Sequence, residues 1–252
     1  MRAILTYHSI DDSGSPISID EAAFRRHVEW LASGAVRVLP LEQILRPPPG
    51  RVIGAEVDAV AITFDDGLES VERVALPLLR DYALPATVFL VSSAMGRTNV
   101  WRGNPDPRIP QLPVMDWNAA CRLVDAGIAV GAHSRTHPHL SRLSSAEIEA
   151  EVLGSCDRIR QEVGASVTSF AYPYGDADDR VRAVVARHCE LACGTELRAL
   201  RGEEKPHWLP RIDTYYVRSR GRLESWGSAR FRLFLDVQGR ARRLREQLVR
   251  SA

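Results

Sequence analysis

The sequence contains no long hydrophobic run. Its apolar stretches are far shorter than the roughly 20 residues that a transmembrane helix needs, so we expect no membrane-spanning segment. The first residues, MRAILTYHSIDD, lack the apolar stretch of a secretory signal peptide and turn acidic at once. Together these two absences predict a cytoplasmic protein.

Cysteine is scarce and net charge is almost absent. The four cysteines among 252 residues form no CxxC pair and no dense framework, which favours reduced thiols over disulfides. The formal net charge is +1, so no global field attracts a polyanion, and we expect no nucleic-acid partner. The sequence leaves the oligomeric state open.

An excess of positive charge is concentrated near the C-terminal end of the sequence. Residues 218–250 contain ten arginines against three acidic residues, and apolar side chains recur among them with helical spacing. We expect a main domain at residues 1–220 followed by a basic amphipathic helical extension at residues 221–252. Such a helix packs on its domain with solvated charges or makes a weak contact with an anionic membrane surface.

Short apolar strands alternate with amphipathic helices through the main domain. The predicted strands are residues 3–7, 60–64, 86–91, 128–132, 168–171 and 191–193. The predicted helices are residues 20–32, 68–82, 116–125, 144–163 and 178–188. This alternation is typical of a parallel sheet covered by helices, either a barrel or a doubly wound open sheet. In both architectures the chemistry occurs just beyond the C-terminal ends of the strands.

Polar side chains follow four of these strands directly. His8 follows the first strand, and the segment TFDDG places Asp65 and Asp66 after another. The segment HSRTHPH begins at His133, and YPYGD occupies residues 172–176. Because the ends of parallel strands meet at one edge of the sheet, we expect these groups to lie close together.

The adjacent carboxylates of Asp65 and Asp66 raise the question of what neutralises them. Two neighbouring anions at the edge of a core repel each other and are costly to desolvate. His133 and His137 stand at i and i+4, so both imidazoles can lie on one face. Two imidazoles and one carboxylate are the composition of a catalytic site for zinc or a related divalent ion. The alternatives at this point are a helix cap for Asp66 and surface positions for the histidines.

Three segments resemble a known family. TFDDG (63–67), HSRTH (133–137) and FAYPYG (170–175) resemble, in order and spacing, the signature motifs of the polysaccharide deacetylases. This family is also called carbohydrate esterase family 4 or the NodB homology domain. The resemblance implies a distorted (β/α) barrel with about seven units. It also implies metal-dependent removal of acetyl groups from an N- or O-acetylated sugar or polysaccharide precursor.

Two further segments resemble flanking features of one subgroup, the one that carries FAYPYG. They are YHSI (7–10) and LPRID (209–213), so that the resemblance covers roughly residues 3–217.

The resemblance implies roles for individual residues. Asp66, His133 and His137 match the metal-binding triad, and the ion expected there is zinc, with cobalt or nickel as alternatives. Asp65 matches the catalytic base. Tyr174 matches the residue whose backbone N–H helps to form the oxyanion hole.

The sequence departs from the family pattern in two ways. Ala171 stands where many members carry an arginine that pairs with the base, and Arg211 in LPRID is the predicted substitute. No Leu-x-His motif is found that would supply the general acid. His8 is the predicted replacement, ahead of His139 and His207.

The sequence therefore predicts a metal-dependent hydrolase whose partner is an acetylated sugar or oligosaccharide. One alternative is hydrolysis of a non-sugar linear or cyclic amide on the same barrel. Another is a catalytically silent carbohydrate-binding member of the family. Loops such as residues 92–115 would set the choice of substrate, and Trp101 within them is the predicted sugar-stacking platform.

Overall fold

The architecture was read from a computed structural model that describes residues 1–46, 58–101 and 106–251, and side chains as far as residue 245. The strands in these ranges are β1 (Arg2–Tyr7), β2 (Ser9–Ile10), β3 (Ser18–Ile19), β4 (Arg37–Val38), β5 (Ala59–Phe64), β6 (Thr87–Leu90), β7 (Ala129–Ala132), β8 (Ser169–Ala171), β9 (Leu191–Cys193) and β10 (Ile212–Asp213). The α-helices are α1 (Glu21–Ala32), α2 (Leu76–Asp81), α3 (Trp117–Asp125), α4 (Ser145–Val163), α5 (Asp179–His188) and α6 (Ala229–Ser251). Residues 102–105 of the predicted substrate loop and residue 252 of the predicted extension lie outside the described residues.

In the described part of the chain, the larger of two parallel sheets has the order β10-β1-β5-β6-β7-β8-β9, with β4 beside β5, and β2 and β3 form the smaller sheet. The sheet curls into a half-barrel with helices around it, which confirms the predicted distorted (β/α) barrel of fewer than eight units. An isolated bridge between Cys193 and Leu209 links β9 to the segment that leads into β10. The C-terminal ends of the strands therefore converge on one mouth.

Alternate side chains of the strands fill the inside of the curled sheet. Ile4, Ala61 and Phe89 belong to a small inner cluster, whereas Leu5 belongs to the main core. At Gly131 on β7, a Cβ atom would lie 2.5 Å from the ring of Phe89. The absence of a side chain at Gly131 thus leaves room for the aromatic ring that fills the interior.

The helices begin at the capping residues that the sequence marks. Asp20, Asp116 and Asp178 each accept a hydrogen bond from the backbone N–H three residues later. Ser144 and Glu147 form the reciprocal capping box before α4. One predicted helix differs, because a π-helical segment precedes α2.

The predicted C-terminal extension is one helix, α6, and it shares the core of the barrel. Phe231 is fully buried and Leu235 is 3 % exposed, both within the main hydrophobic cluster. A Cβ atom at Gly239 would lie 2.6 Å from the carbonyl oxygen of Leu197, so the helix approaches the barrel backbone closely. The division at residue 220 stays a prediction. Neither α6 nor any other helix of the described ranges is long and apolar enough to cross a membrane.

Candidate active site

Asp66, His133 and His137 lie together at the C-terminal edge of the sheet. Asp66 comes two residues after β5, and His133 follows β7 directly. Oδ1 of Asp66 is 3.4 Å from Nε2 of His133 and 3.5 Å from Nε2 of His137. The two Nε2 atoms are 3.2 Å apart. All three side chains are buried, and their ligand atoms lie within 4.8 Å of one another.

The arrangement of these three atoms fits a divalent metal ion. His133 donates its Nδ1–H to the carbonyl oxygen of Ala171 at 2.7 Å, so its Nε2 faces Asp66 and His137, and when the ring is neutral this atom presents a lone pair to them. Electron pairs that converge in this way repel each other unless a cation lies between them. In a tetrahedral zinc site, bonds of about 2.0–2.1 Å place the ligand atoms about 3.3 Å apart, close to the separations observed.

The three groups of the triad shift each other's pKa values. Burial, reinforced by the charge of His133, lowers the pKa of His137 to about 3, so that this ring is neutral. Burial also opposes protonation of His133, but the hydrogen bond with Asp66 raises the pKa of this imidazole. Burial acts to raise the pKa of Asp66, yet the same hydrogen bond holds it below its ordinary value.

The backbone at the site adopts an uncommon conformation. Five non-glycine residues of the described chain have positive φ angles, and four of them are at this site: Asp66, Ser134, His137 and Tyr174, with φ between 58° and 71°. Such residues persist only where surrounding contacts hold them. The hydroxyl of Ser134 accepts the His137 N–H at 3.0 Å, and Glu151 of α4 accepts two further N–H groups of the same loop.

Arg211 holds Asp65 in a bidentate ion pair beside the triad. Nη1 and Nη2 each lie 2.7 Å from a different carboxylate oxygen, and both side chains are buried. Nε of Arg211 donates to the carbonyl oxygen of Gly194 at 2.9 Å, and Nη1 also donates to the hydroxyl of Thr6 at 3.0 Å. Burial tends to raise the pKa of Asp65, but the charge of Arg211 holds it well below its usual range. Asp65 is therefore ionised and fixed in orientation.

A cavity of about 370 Å³ opens onto both the triad and the ion pair. His8 lines it, with Nε2 3.8 Å from Oδ2 of Asp65. The other two histidines predicted as alternative acids lie elsewhere. His139 stacks on Tyr174 with ring centroids 4.2 Å apart, and Nε2 of His207 is 3.0 Å from the carbonyl oxygen of Cys189. Of the three histidines, His8 is the one that lines this cavity.

Tyr174 and Trp101 cover the ring of His137. Their ring centroids lie 4.6 Å and 4.4 Å from that of the imidazole. The two N–H groups after Tyr174 are bonded within its turn, whereas the Tyr174 N–H has no acceptor in the described part of the chain. Its predicted role in an oxyanion hole stays a prediction. Trp101 lines the cavity, and its predicted stacking role stays a prediction.

Sequence reasoning missed the arginines of the outer wall. Arg242 and Arg245 of α6 line the cavity together with Arg108, which lies between β6 and α3. Gly239 was the one available sign that α6 packs closely on the barrel. Glycine inside a helix costs about 1 kcal/mol relative to alanine, so its presence there indicates that a larger side chain would not fit. The C-terminal helix thus contributes to the site itself.

Comparison with known proteins agrees with this geometry. The sequence model of the family described as polysaccharide deacetylase matches residues 54–190, more than half of the chain. The Bacillus subtilis protein YxkH, provisionally designated a polysaccharide deacetylase, is 24% identical over 211 residues, which cover 83% of this chain and 70% of its own. A Staphylococcus aureus poly-β-1,6-N-acetyl-D-glucosamine N-deacetylase is 23% identical over 208 residues, 77% of this chain and 67% of its own.

A solved structure shows the same fold. The deacetylase PplD of Streptococcus pyogenes, solved in complex with acetate, superimposes with a TM-score of 0.70 at 20% identity, over 84% of this chain and 91% of that chain. At this level of identity the likeness concerns the fold alone. The family match carries more, because its range includes both TFDDG and HSRTH, the segments that meet at the buried triad. On that match, this chain belongs to the polysaccharide deacetylase family.

Proposed function

We propose that the chain is a metal-dependent deacetylase that removes an acetyl group from an N- or O-acetylated sugar or oligosaccharide. The observation that carries this proposal is one cavity in which the triad of Asp66, His133 and His137 lies beside the ion pair of Asp65 and Arg211. Family membership supports sugar deacetylation, as the name of the Staphylococcus aureus relative illustrates. Zinc is the ion we expect, with cobalt or nickel as alternatives.

The residues of the site divide the reaction among them. An ion held by the triad would supply Lewis acidity towards the acetyl carbonyl and the attacking water. Asp65 accepts a proton from that water, and Arg211 keeps its carboxylate ionised and oriented. The Tyr174 N–H donates to the developing oxyanion, a type of contact whose loss costs roughly 3 kcal/mol. His8 delivers a proton to the leaving amine or alcohol.

Metal analysis and acetate release test this proposal together. We expect the purified protein to bind about one equivalent of zinc, cobalt or nickel, as a three-ligand site does, and Asp66→Ala to bind none. Asp65→Asn should retain the metal and lose turnover of chito-oligosaccharides or small acetylated sugars, because the amide cannot accept the proton. An active Asp65→Asn variant would refute the assignment of the base.

The same measurements separate the two alternatives. A metal-loaded protein that cleaves linear or cyclic amides but releases no acetate from sugars is an amide hydrolase. A protein that binds sugar without metal uptake or turnover is a silent family member. The intact triad argues against the silent alternative. The FAYPYG-type subgroup and the cytoplasmic location stay predictions.

We further propose that the outer face of α6 contacts an anionic membrane surface. Leu233, Val237 and Leu244 are 65%, 54% and 61% exposed, and their spacing of four and seven residues places them on one side of the helix. The exposed Arg230 and Arg240 lie on the same side. Anionic lipid complements this charge, whereas a second copy would bring two arginine-rich faces together.

Flotation with lipid vesicles tests the membrane contact. Removal of the whole extension is unsuitable, because Phe231 and Leu235 are part of the core. Serine at all three apolar positions of the outer face should instead reduce partition onto vesicles that contain phosphatidylserine, and added salt should reduce it further. Equal partition of the wild type and this variant would end the idea.

A further inference from the structure

The outer wall of the catalytic cavity carries positive charge from helix α6. Arg242 and Arg245 are three residues apart, so they lie on the same side of the helix, and both line the cavity. Arg108 adds a third guanidinium group from the loop between β6 and α3. None of these residues belongs to the motifs that define the family.

The position of α6 against the cavity is fixed by packing. The helix is anchored by Phe231 and Leu235 in the core and by the close approach of Gly239 to Leu197. On the next turn, Nη1 of Arg242 lies 3.7 Å from Oδ2 of Asp213. The arginines at the cavity are therefore held by the same core that supports the barrel.

The charges around the cavity leave one arginine in surplus. Each lining carboxylate has a cationic or imidazole partner: Asp65 with Arg211, Asp66 with His133 and His137, Asp106 with Arg108, and Asp213 with Arg242. Arg245 has no acidic partner among the described residues, and its side chain is exposed to the cavity mouth. An ion bound at the triad would add further positive charge.

We propose that Arg245, with Arg242 beside it, binds a phosphate group of the substrate, so that the preferred substrate is an acetylated sugar phosphate or diphosphate. Guanidinium groups match phosphate oxygens with two parallel hydrogen bonds. The cavity of about 370 Å³ has the size of a small-molecule site, so one sugar and its phosphate occupy both the triad and the arginine wall. This inference rests on the proposed deacetylase function.

Binding of glucose 1-phosphate tests the arginine wall without turnover. Calorimetry is done on the metal-loaded wild type, on Arg245→Gln and on Arg232→Gln, a control that removes the same charge from an exposed position of α6 that does not line the cavity. We expect Arg245→Gln to lose affinity by about tenfold or more, the effect of one charged hydrogen bond, and Arg232→Gln to bind like the wild type. Equal affinity of Arg245→Gln and the wild type, as expected if only the metal holds the phosphate, overturns the proposal.

Turnover identifies the source of the phosphate. Three substrates are compared: a nucleoside diphosphate N-acetylglucosamine, a polyprenyl diphosphate N-acetylglucosamine and a neutral N-acetylglucosamine oligosaccharide. We expect the wild type to have a higher kcat/KM for one of the two charged substrates than for the neutral oligosaccharide. In Arg245→Gln, the kcat/KM for that charged substrate divided by the kcat/KM for the neutral one should fall by about tenfold or more. The charged substrate that is preferred shows whether the phosphate comes from a nucleotide or a lipid.

The two proposals fail in different ways. Acetate release from the neutral sugar alone, with no effect of Arg245→Gln on the ratio, refutes the phosphate site and leaves the deacetylase intact. Arg245-dependent binding of glucose 1-phosphate without acetate release from any sugar refutes the deacetylase and leaves the phosphate site intact.

Discussion

Arg211 and Asp65 form a buried bidentate ion pair although 146 residues separate them in the chain. Asp65 follows β5, and Arg211 immediately precedes β10. The pair therefore joins the segment that closes the sheet to the segment that bears the proposed base. Removing one partner of such a pair leaves an uncompensated charge in the interior.

Arg211→Ala should impair both stability and turnover. We expect a loss of about 3–5 kcal/mol in the free energy of unfolding, because Asp65 keeps its burial and loses its countercharge. The triad does not contact Arg211, so metal uptake should persist. Arg211→Lys keeps the positive charge but loses the bidentate geometry, so its stability and turnover should lie between those of the wild type and of Arg211→Ala. Urea titration, metal analysis and acetate release check these points, and a wild-type rate for Arg211→Ala would refute the pairing role.

His27 should make stability depend on pH. Tyr7 donates its hydroxyl to Nδ1 at 3.1 Å, and Nε2–H donates to the carbonyl oxygen of Val217 at 3.2 Å. Burial lowers the pKa of His27 from 6.5 to about 4. Between these two values the unfolded chain takes up a proton that the folded chain does not, so stability falls as the pH falls, by about 3 kcal/mol in total.

His27→Gln removes this titration. Its free energy of unfolding, measured by denaturant titration at several pH values, should fall less steeply than that of the wild type between pH 6.5 and 4. Parallel curves for the two proteins would contradict the assignment.

Two glycine-to-alanine substitutions in helices should have opposite effects. In α4, a Cβ at Gly154 would meet its nearest neighbour, Cδ of Arg135, at 3.9 Å, an ordinary contact. Gly154→Ala should therefore stabilise the protein by up to about 1 kcal/mol through helix propensity. Gly239→Ala should destabilise it, because the new Cβ would lie 2.6 Å from the carbonyl oxygen of Leu197. Thermal unfolding compares the pair, and a higher Tm for Gly239→Ala would contradict the close packing of α6.

Metal binding should raise the melting temperature of chelator-treated protein. Zinc added at 100 times its Kd would stabilise the folded state by about 2.7 kcal/mol. Asp66→Ala should show no such shift. His139→Ala is the matched control, because His139 lies outside the triad and does not line the cavity. A zinc-dependent shift in Asp66→Ala would place the ion elsewhere.

The sequence predicted those parts of the fold that local patterns determine. Strands such as β5 and β7 are apolar runs, and the polar residues at their ends lie at one edge, so Asp66, His133 and His137 could be grouped before any coordinates. The short strands β2, β3, β4 and β10 were missed, because two residues are too few for periodicity to act on.

The arginine wall could not be predicted for a different reason. The amphipathic pattern identifies α6 as a helix, but the side that faces the barrel depends on tertiary contacts. The approach of Gly239 to Leu197 turns Arg245 towards the cavity and Arg240 away from it. A sequence of alternating arginines and apolar residues does not distinguish these two outcomes.

The pairing of β1 with both β5 and β10 affects how the chain matures on the ribosome. Leu5 of β1 pairs with Ile212 of β10, so this edge of β1 stays open until residue 212 has been made. Contacts of such sequence separation slow folding, and an unprotected strand edge invites association with other chains. Arg211 arrives on the segment that leads into β10, so a nascent chain can complete the site only after this segment has been made.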